Sequence, residues 1–146
     1  MKTFEKLKEE LLIRAKNAGA CQSGYAMGLR SNTKADLLKA ITENWFWVLR
    51  DAKIIDAEYL EDNFTEEELS QAGIYTKNTY EIRTASFACG SATVEAYDSA
   101  TVKAYDNSYV EDFTGNIRPE SDYAIVKDYY SHKIYIKKGK FEIIEV

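Results

Sequence analysis

From Thr3 to Ala18 the apolar residues Phe4, Leu7, Leu11, Ala15 and Ala18 recur at the spacing of one helix face. Asn17 and Gly19 supply a stop. The next stretch, Cys21 to Leu29, is rich in small residues and holds Gly24 and Gly28, so it reads as a loop or a short, weak helix. Thr33 is a good N-cap, and Asp36 sits where a carboxylate favours the positive end of the helix dipole. On a wheel of about 100° per residue, Leu37, Leu38, Ile41, Trp45, Val48 and Leu49 share one face. Phe46 falls at the border of that face and Trp47 on the opposite side. Asp56 to Asn63 predicts one short helix. Thr65-Glu66-Glu67-Glu68 announces another through a capping box, ended at Gly73 by a left-handed cap.

After Ile74 the pattern changes to period two, with β-branched and aromatic residues dominant. The expectation is an α+β chain. Residues 1–74 form a small helical N-terminal unit and residues 75–146 a β-repeat region, packed together because neither is large enough to be stable alone.

Within the second half, Ser91-Ala92-Thr93-Val94-Glu95-Ala96-Tyr97-Asp98 aligns with Ser99-Ala100-Thr101-Val102-Lys103-Ala104-Tyr105-Asp106, identical at seven of eight positions. Residues 107–114 keep the valine and the aromatic place, and residues 123–130 recover Ala124, Val126 and Tyr129 in the same frame. Such fixed self-similarity marks stacked repeats. Alternation puts Ala92, Val94 and Ala96 on one face and Thr93, Glu95 and Tyr97 on the other. A meander with two-residue turns would place the Ala/Val/Ala set of one strand beside the Thr/Glu/Tyr set of the next, which burial of one face forbids. Coils that restart facing the same way keep small apolar residues inside, so the octad predicts a short parallel β-solenoid. Eight residues are too few to close a coil; two or three octads per coil remain open. The helical unit is expected to cap the first end. Lys133, Lys137, Lys138 and Lys140 would discourage edge-to-edge stacking at the other. Tyr97, Tyr105 and Phe113 at the outward seventh place could stack along the solenoid, as could Thr93 and Thr101.

Composition narrows the functional classes. Hydrophobic residues make up 45% and charged residues 29%, an ordinary balance for a globular chain. The net charge is −5 and neither half is basic, so direct nucleic-acid binding is not expected. No apolar run approaches the length of a membrane span, and the charged start lacks the pattern of a signal peptide. Two cysteines and one histidine are too few for a zinc site, and reduced thiols in a cytoplasm are the simplest inference. No phosphate-cradling or dinucleotide motif occurs, so neither a cofactor nor a catalytic set is expected. His132 follows Ser131, but neighbours along a strand face opposite ways, which is wrong for a nucleophile and its base. Cys21 reads as a packed thiol.

The run Ser91 to Val110 is similar to the "ATV-x-AY-G/D-N/S" arrays of uncharacterised phage and mobile-element proteins of gut-type bacteria. Ala18-Gly19-Ala20-Cys21 with Gly24-Tyr25, the Trp45-Phe46-Trp47 helix, Ala72-Gly73-Ile74-Tyr75-Thr76 and Tyr123-Ala124-Ile125-Val126-Lys127-Asp128 also resemble the helical leader and tail of those proteins. The resemblance implies mobile-element origin and a binding role rather than chemistry.

The expected function is therefore a non-enzymatic interaction protein that masks a host protein or ribonucleoprotein complex, such as a CRISPR effector, as an anti-CRISPR-like inhibitor. Candidate partner-binding residues are Trp47, an aromatic off the apolar face; Tyr97 and Tyr105; and Glu61, Glu66, Glu67 and Glu68 from the acidic stretch 56–68. Two rivals are a structural solenoid that self-associates into a homo-oligomer, and an enzyme such as a hydrolase of unknown type.

Overall fold

A computed structural model describes residues 1–119, 123–137 and 141–146. The chain divides into two compact units, Met1–Ala72 and Gly73–Val146.

In the first unit, α1 (Phe4–Asn17) begins where the Thr3 hydroxyl caps the Lys6 N–H, and it buries Leu7 and Leu11. Gly19 follows it with φ +77°, the left-handed conformation that ends a helix at little steric cost. Residues 22–30 are helical despite their two glycines: α2 (Gln22–Arg30) is capped by Cys21, whose sulfur accepts the Gly24 N–H. A loop was the other expectation for this stretch, and the cysteine cap is what the sequence pattern did not reveal. α3 (Lys34–Glu43) opens with a reciprocal capping box between Thr33 and Asp36. The continuous helix expected through Leu49 is broken at Asn44. Its side-chain Nδ2 bonds the Ala40 carbonyl at 2.9 Å, its φ and ψ are −118° and 27°, and the chain resumes as a π-helical turn, Trp47–Asp51. There the Ala52 N–H reaches back to the Trp47 carbonyl at 2.8 Å. α4 (Ala57–Asn63) and α5 (Glu66–Gln71) follow, capped by Asp56 and by a Thr65/Glu68 capping box. Gly73, at φ +71°, ends α5.

The second unit is a parallel β-solenoid. β1 (Ile74–Tyr75), β3 (Ala85–Ala88) and β5 (Thr101–Ala104) form one sheet, and β2 (Thr79–Ile82), β4 (Thr93–Ala96), β6 (Tyr109–Asp112) and β7 (Ile125–Asp128) line up in the other. Thr93 pairs with Tyr109 and Tyr109 with Ile125, a step of 16 residues. One coil therefore consumes two octads, and successive octads lie on opposite sheets. Ala92, Val94, Ala96, Ala100, Val102, Ala104, Val110, Ala124 and Val126 fill the interior. Small side chains at these places let the two sheets approach closely.

The eighth place of the octad turns the corner. Gly90, Asp98 and Asp106 have φ of 60°, 55° and 53°, a conformation that glycine and, less readily, aspartate tolerate. Among the described residues, the third coil meets its neighbour in the first sheet through a bridge from Ala104 to Pro119. In the second sheet the parallel run ends when β8 (Lys133–Lys137) turns back antiparallel to β7 and β9 (Phe141–Glu145) follows antiparallel to β8. His132 makes the hairpin corner at φ +57° and is exposed. Of the lysines expected to guard this edge, Lys138 and Lys140 lie outside the described residues.

Candidate functional site

Two features of the units differ from ordinary packing: the outer face of the second solenoid sheet, and a cavity among the helices.

On the sheet, the 16-residue coil brings every second octad into one column. Glu81, Glu95, Glu111 and Lys127 are in register on consecutive strands. Like charges directly opposite each other cost stability in a sheet. Three tyrosines temper the repulsion. Tyr97 Oη donates to Glu95 at 3.1 Å, Tyr109 Oη to Glu111 at 3.4 Å and Tyr129 Oη to Glu111 at 3.1 Å. Desolvation, followed by its hydrogen bond to Glu95 and the charges of the acidic column, raises the Tyr97 pKa above the usual phenol value. Desolvation and the Glu111 charge do the same to Tyr109.

Beside the acids runs an aromatic ladder. The Tyr97 and Phe113 rings lie 4.6 Å apart at 4°, and Phe113 and Tyr129 lie 4.5 Å apart at 4°. Arg83 occupies the same place one coil earlier, since Ile82 pairs with Ala96. Its guanidinium lies 5.4 Å from the Tyr97 ring centroid, and the Lys127 ammonium 4.5 Å from that of Tyr129. The ring faces are thus largely occupied by one another and by cations. What the ladder offers outward is ring edges and hydroxyls.

Tyr105 is not in this ladder. Because successive octads lie on opposite sheets, its counterpart one coil earlier is Cys89, which is fully buried. The expected Tyr97–Tyr105–Phe113 stack is corrected to Tyr97–Phe113–Tyr129. Thr93 likewise pairs with Thr79 and Tyr109, not Thr101. The signal was present in the sequence as aromatic residues at 97, 113 and 129, one coil apart.

Below these outward groups, Asp112 and Asp128 take the sixth octad place, where Ala96 stands one coil earlier. Both are buried. Asp112 accepts from the Thr114, Gly115 and Ile117 N–H groups and the Thr114 hydroxyl. Asp128 accepts from the Tyr130 and Ser131 N–H groups and the Ser131 hydroxyl. These carboxylates are engaged in holding corners.

The acidic stretch is distributed among structural tasks. Asp56 caps α4, and Glu68 closes the α5 capping box and meets Lys34 Nζ at 3.2 Å. Glu66 and Glu67 are exposed in the first turn of α5, and Glu61 is half-buried on α4.

Trp47 lies elsewhere, in the wall of a cavity of about 190 Å³ within the helical unit. Leu11, Tyr25, Ile41 and Val48 share that wall, with Asn44 among its few polar groups. Cys21 sits at its rim, exposed. Its contact with the Ser23 hydroxyl, then the Gly24 N–H, lowers the thiol pKa, and its exposure corrects the expectation of a packed thiol.

Among the described residues no group of three His, Cys, Asp or Glu side chains could hold a metal ion, and no helix is long and apolar enough to cross a membrane. Comparison with known protein families, curated proteins and solved structures finds no match.

Proposed function

We propose that the chain is a non-enzymatic interaction protein of a phage or mobile element, and that it masks a basic surface of a host complex with the outer face of its longer solenoid sheet. The observation that carries this reading is the in-register column Glu81, Glu95 and Glu111, set beside the Tyr97–Phe113–Tyr129 ladder. A repeat scaffold could place a neutral residue there at no cost to its interior. Instead it holds three like charges in line, an arrangement a cationic partner would relieve. Tyrosine edges with hydroxyl groups suit such a contact, because they combine apolar area with hydrogen bonding. A host defence complex, a nucleic-acid-handling assembly with basic channels, fits this chemistry and the resemblance of the octads.

The test compares the wild-type chain with a Glu81→Gln, Glu95→Gln, Glu111→Gln variant as baits in bacterial host lysate, with captured proteins quantified by mass spectrometry. The expected result is a partner with a basic surface, retained at low salt by the wild type, released at high salt, and retained at least tenfold less by the variant. Equal capture by both proteins rules the column out. Light scattering on the same samples separates the rival reading: concentration-dependent growth in mass without any partner would favour self-association.

A further inference from the structure

We infer that the cavity of the helical unit is a binding site for a small, neutral, aromatic molecule of about the size of indole, carrying one N–H donor. This inference is independent of the sheet face and concerns only residues of the first unit.

Three observations converge. The first is Trp47. At helical spacing it follows Ala40 and Asn44 on one side of the chain, opposite buried Trp45, and Ala40, Asn44 and Trp47 line the cavity together with Ile41 and Val48. A π-helical turn, Trp47–Asp51, starts at this residue, and such turns are rare and frequent at functional sites. Lys53, just beyond, has φ +50°, a conformation unfavourable for lysine.

The second is the opposite wall. Gly24 and Gly28 lie one helical turn apart on α2, and both line the cavity. Glycine inside a helix is unfavourable. A Cβ at Gly24 would lie 3.2 Å from Asn44 Oδ1, and one at Gly28 would lie 3.2 Å from Leu12 Cδ2. Side chains there would crowd the groups that shape the space.

The third is Asn44 itself. Its Nδ2 is held by the Ala40 carbonyl, which fixes Oδ1 toward Gly24. No hydrogen bond from the described residues reaches Oδ1. The wall thus presents one oriented acceptor on an otherwise mainly apolar surface, the usual composition of a small-ligand site.

Size and polarity set the ligand class. A dry apolar cavity of roughly 150 Å³ accepts benzene, and this one is about 190 Å³, partly open. A fused two-ring molecule fits better than a single ring. Its N–H would donate to Asn44 Oδ1 while its ring packs against Trp47 and Tyr25. A charged ligand is disfavoured, because no counter-charge lines the wall.

The experiment titrates indole into the full chain and follows amide and indole N–H resonances by two-dimensional NMR. Saturable shifts are expected at Gly19, Ala20, Gly24, Gly28 and Asn44 and at the Trp47 side chain. In parallel, iodoacetamide alkylation of Cys21 is timed by mass spectrometry; buried Cys89 should not react. Saturating indole should slow that reaction several-fold. Benzothiophene, the same shape without the N–H, should bind about tenfold more weakly, and Ala40→Leu, which fills the cavity, should abolish the shifts. Absence of saturable shifts up to the solubility of indole overturns the site, as do shifts confined to residues outside the cavity. Equal binding of benzothiophene by the wild-type chain overturns the role of Asn44, with no variant needing to fold.

Discussion

Asp112 and Asp128 are carboxylates in a column that carries apolar Ile82 and Ala96 on the preceding coils, and their effect depends on how completely they are bonded. Asp112 accepts four hydrogen bonds while fully buried. Asp112→Asn turns one acceptor into a donor that faces a backbone N–H. It should cost about 2–3 kcal/mol, read as a lower chemical-denaturation midpoint. At Asp128, burial pushes the pKa up, but the Ser131 hydroxyl and N–H, the Tyr130 N–H and the Arg118 charge outweigh it and hold the carboxyl below its usual value. A depressed native pKa contributes stability above the unfolded value near 4 that is lost as pH falls through the native value. Wild-type stability should therefore fall on acidification below about pH 4, while Asp128→Asn, weaker at neutral pH, should fall less over the same range. Tyr59 shows the opposite sign. Burial, then the charge of Glu10, pushes its pKa up to about 12. Its contribution is complete below the ordinary phenol value near 10 and disappears as pH rises toward 12. Thermal melts from pH 9 to 12 should decline less steeply in Tyr59→Phe than in the wild type. Ser108 is simpler. Its hydroxyl is buried without a hydrogen bond from the described residues, between Ala92 and Ala124 of the adjacent coils. Ser108→Ala should stabilise the unit by about 1 kcal/mol, visible as a higher melting temperature.

At the scale of elements, the aromatic ladder couples three coils through side chains alone. Phe113 is its middle member, 39% exposed, with a parallel ring on each side. Phe113→Ala removes both stacked pairs and should cost about 2 kcal/mol, measurable by denaturant titration. The octad made the direction of these strands legible, because Ala92/Val94/Ala96 and Ala100/Val102/Ala104 cannot both face inward in a two-residue-turn meander. The same identity hid the coil length. Residues 91–98 and 99–106 look alike whether two or three octads close a coil, and only the differences between alternate octads, such as the aromatic at 113 and 129 against Cys89 beside Tyr105, separate the columns. Among the helices, caps at Thr33 and Thr65 were readable because each uses a local side-chain bond. The π-helical turn was not readable. It depends on the Asn44 amide competing for the Ala40 carbonyl, and hydrophobic periodicity carries no trace of that bond. Trp47 stood out in the sequence as an off-face aromatic, but the helix that packs against that face, α2, was not readable from its two glycines.

For the molecule as a whole, the sequence division near Gly73 coincides with a change from side-chain-capped helices to coils closed by left-handed corners. The second unit gives the sharper test of this organisation. Deleting residues 91–106 removes one complete coil and joins octads that belong to the same columns. Deleting only 91–98 shifts every later octad to the opposite sheet, separating Phe113 and Tyr129 from the Arg83 column. The shorter deletion should be the more damaging. A cooperative melt is expected for the 16-residue deletion, with a lower midpoint and a broader transition for the eight-residue one, as followed by circular dichroism.

That alternation also constrains how such a gene can change length. A slippage event copying a single octad would yield a chain that is locally well formed but has its two outer surfaces exchanged beyond the insertion. Only copies of sixteen codons leave each surface with its own residues. Heredity in this array is thus counted in coils, although its most visible word is half a coil long.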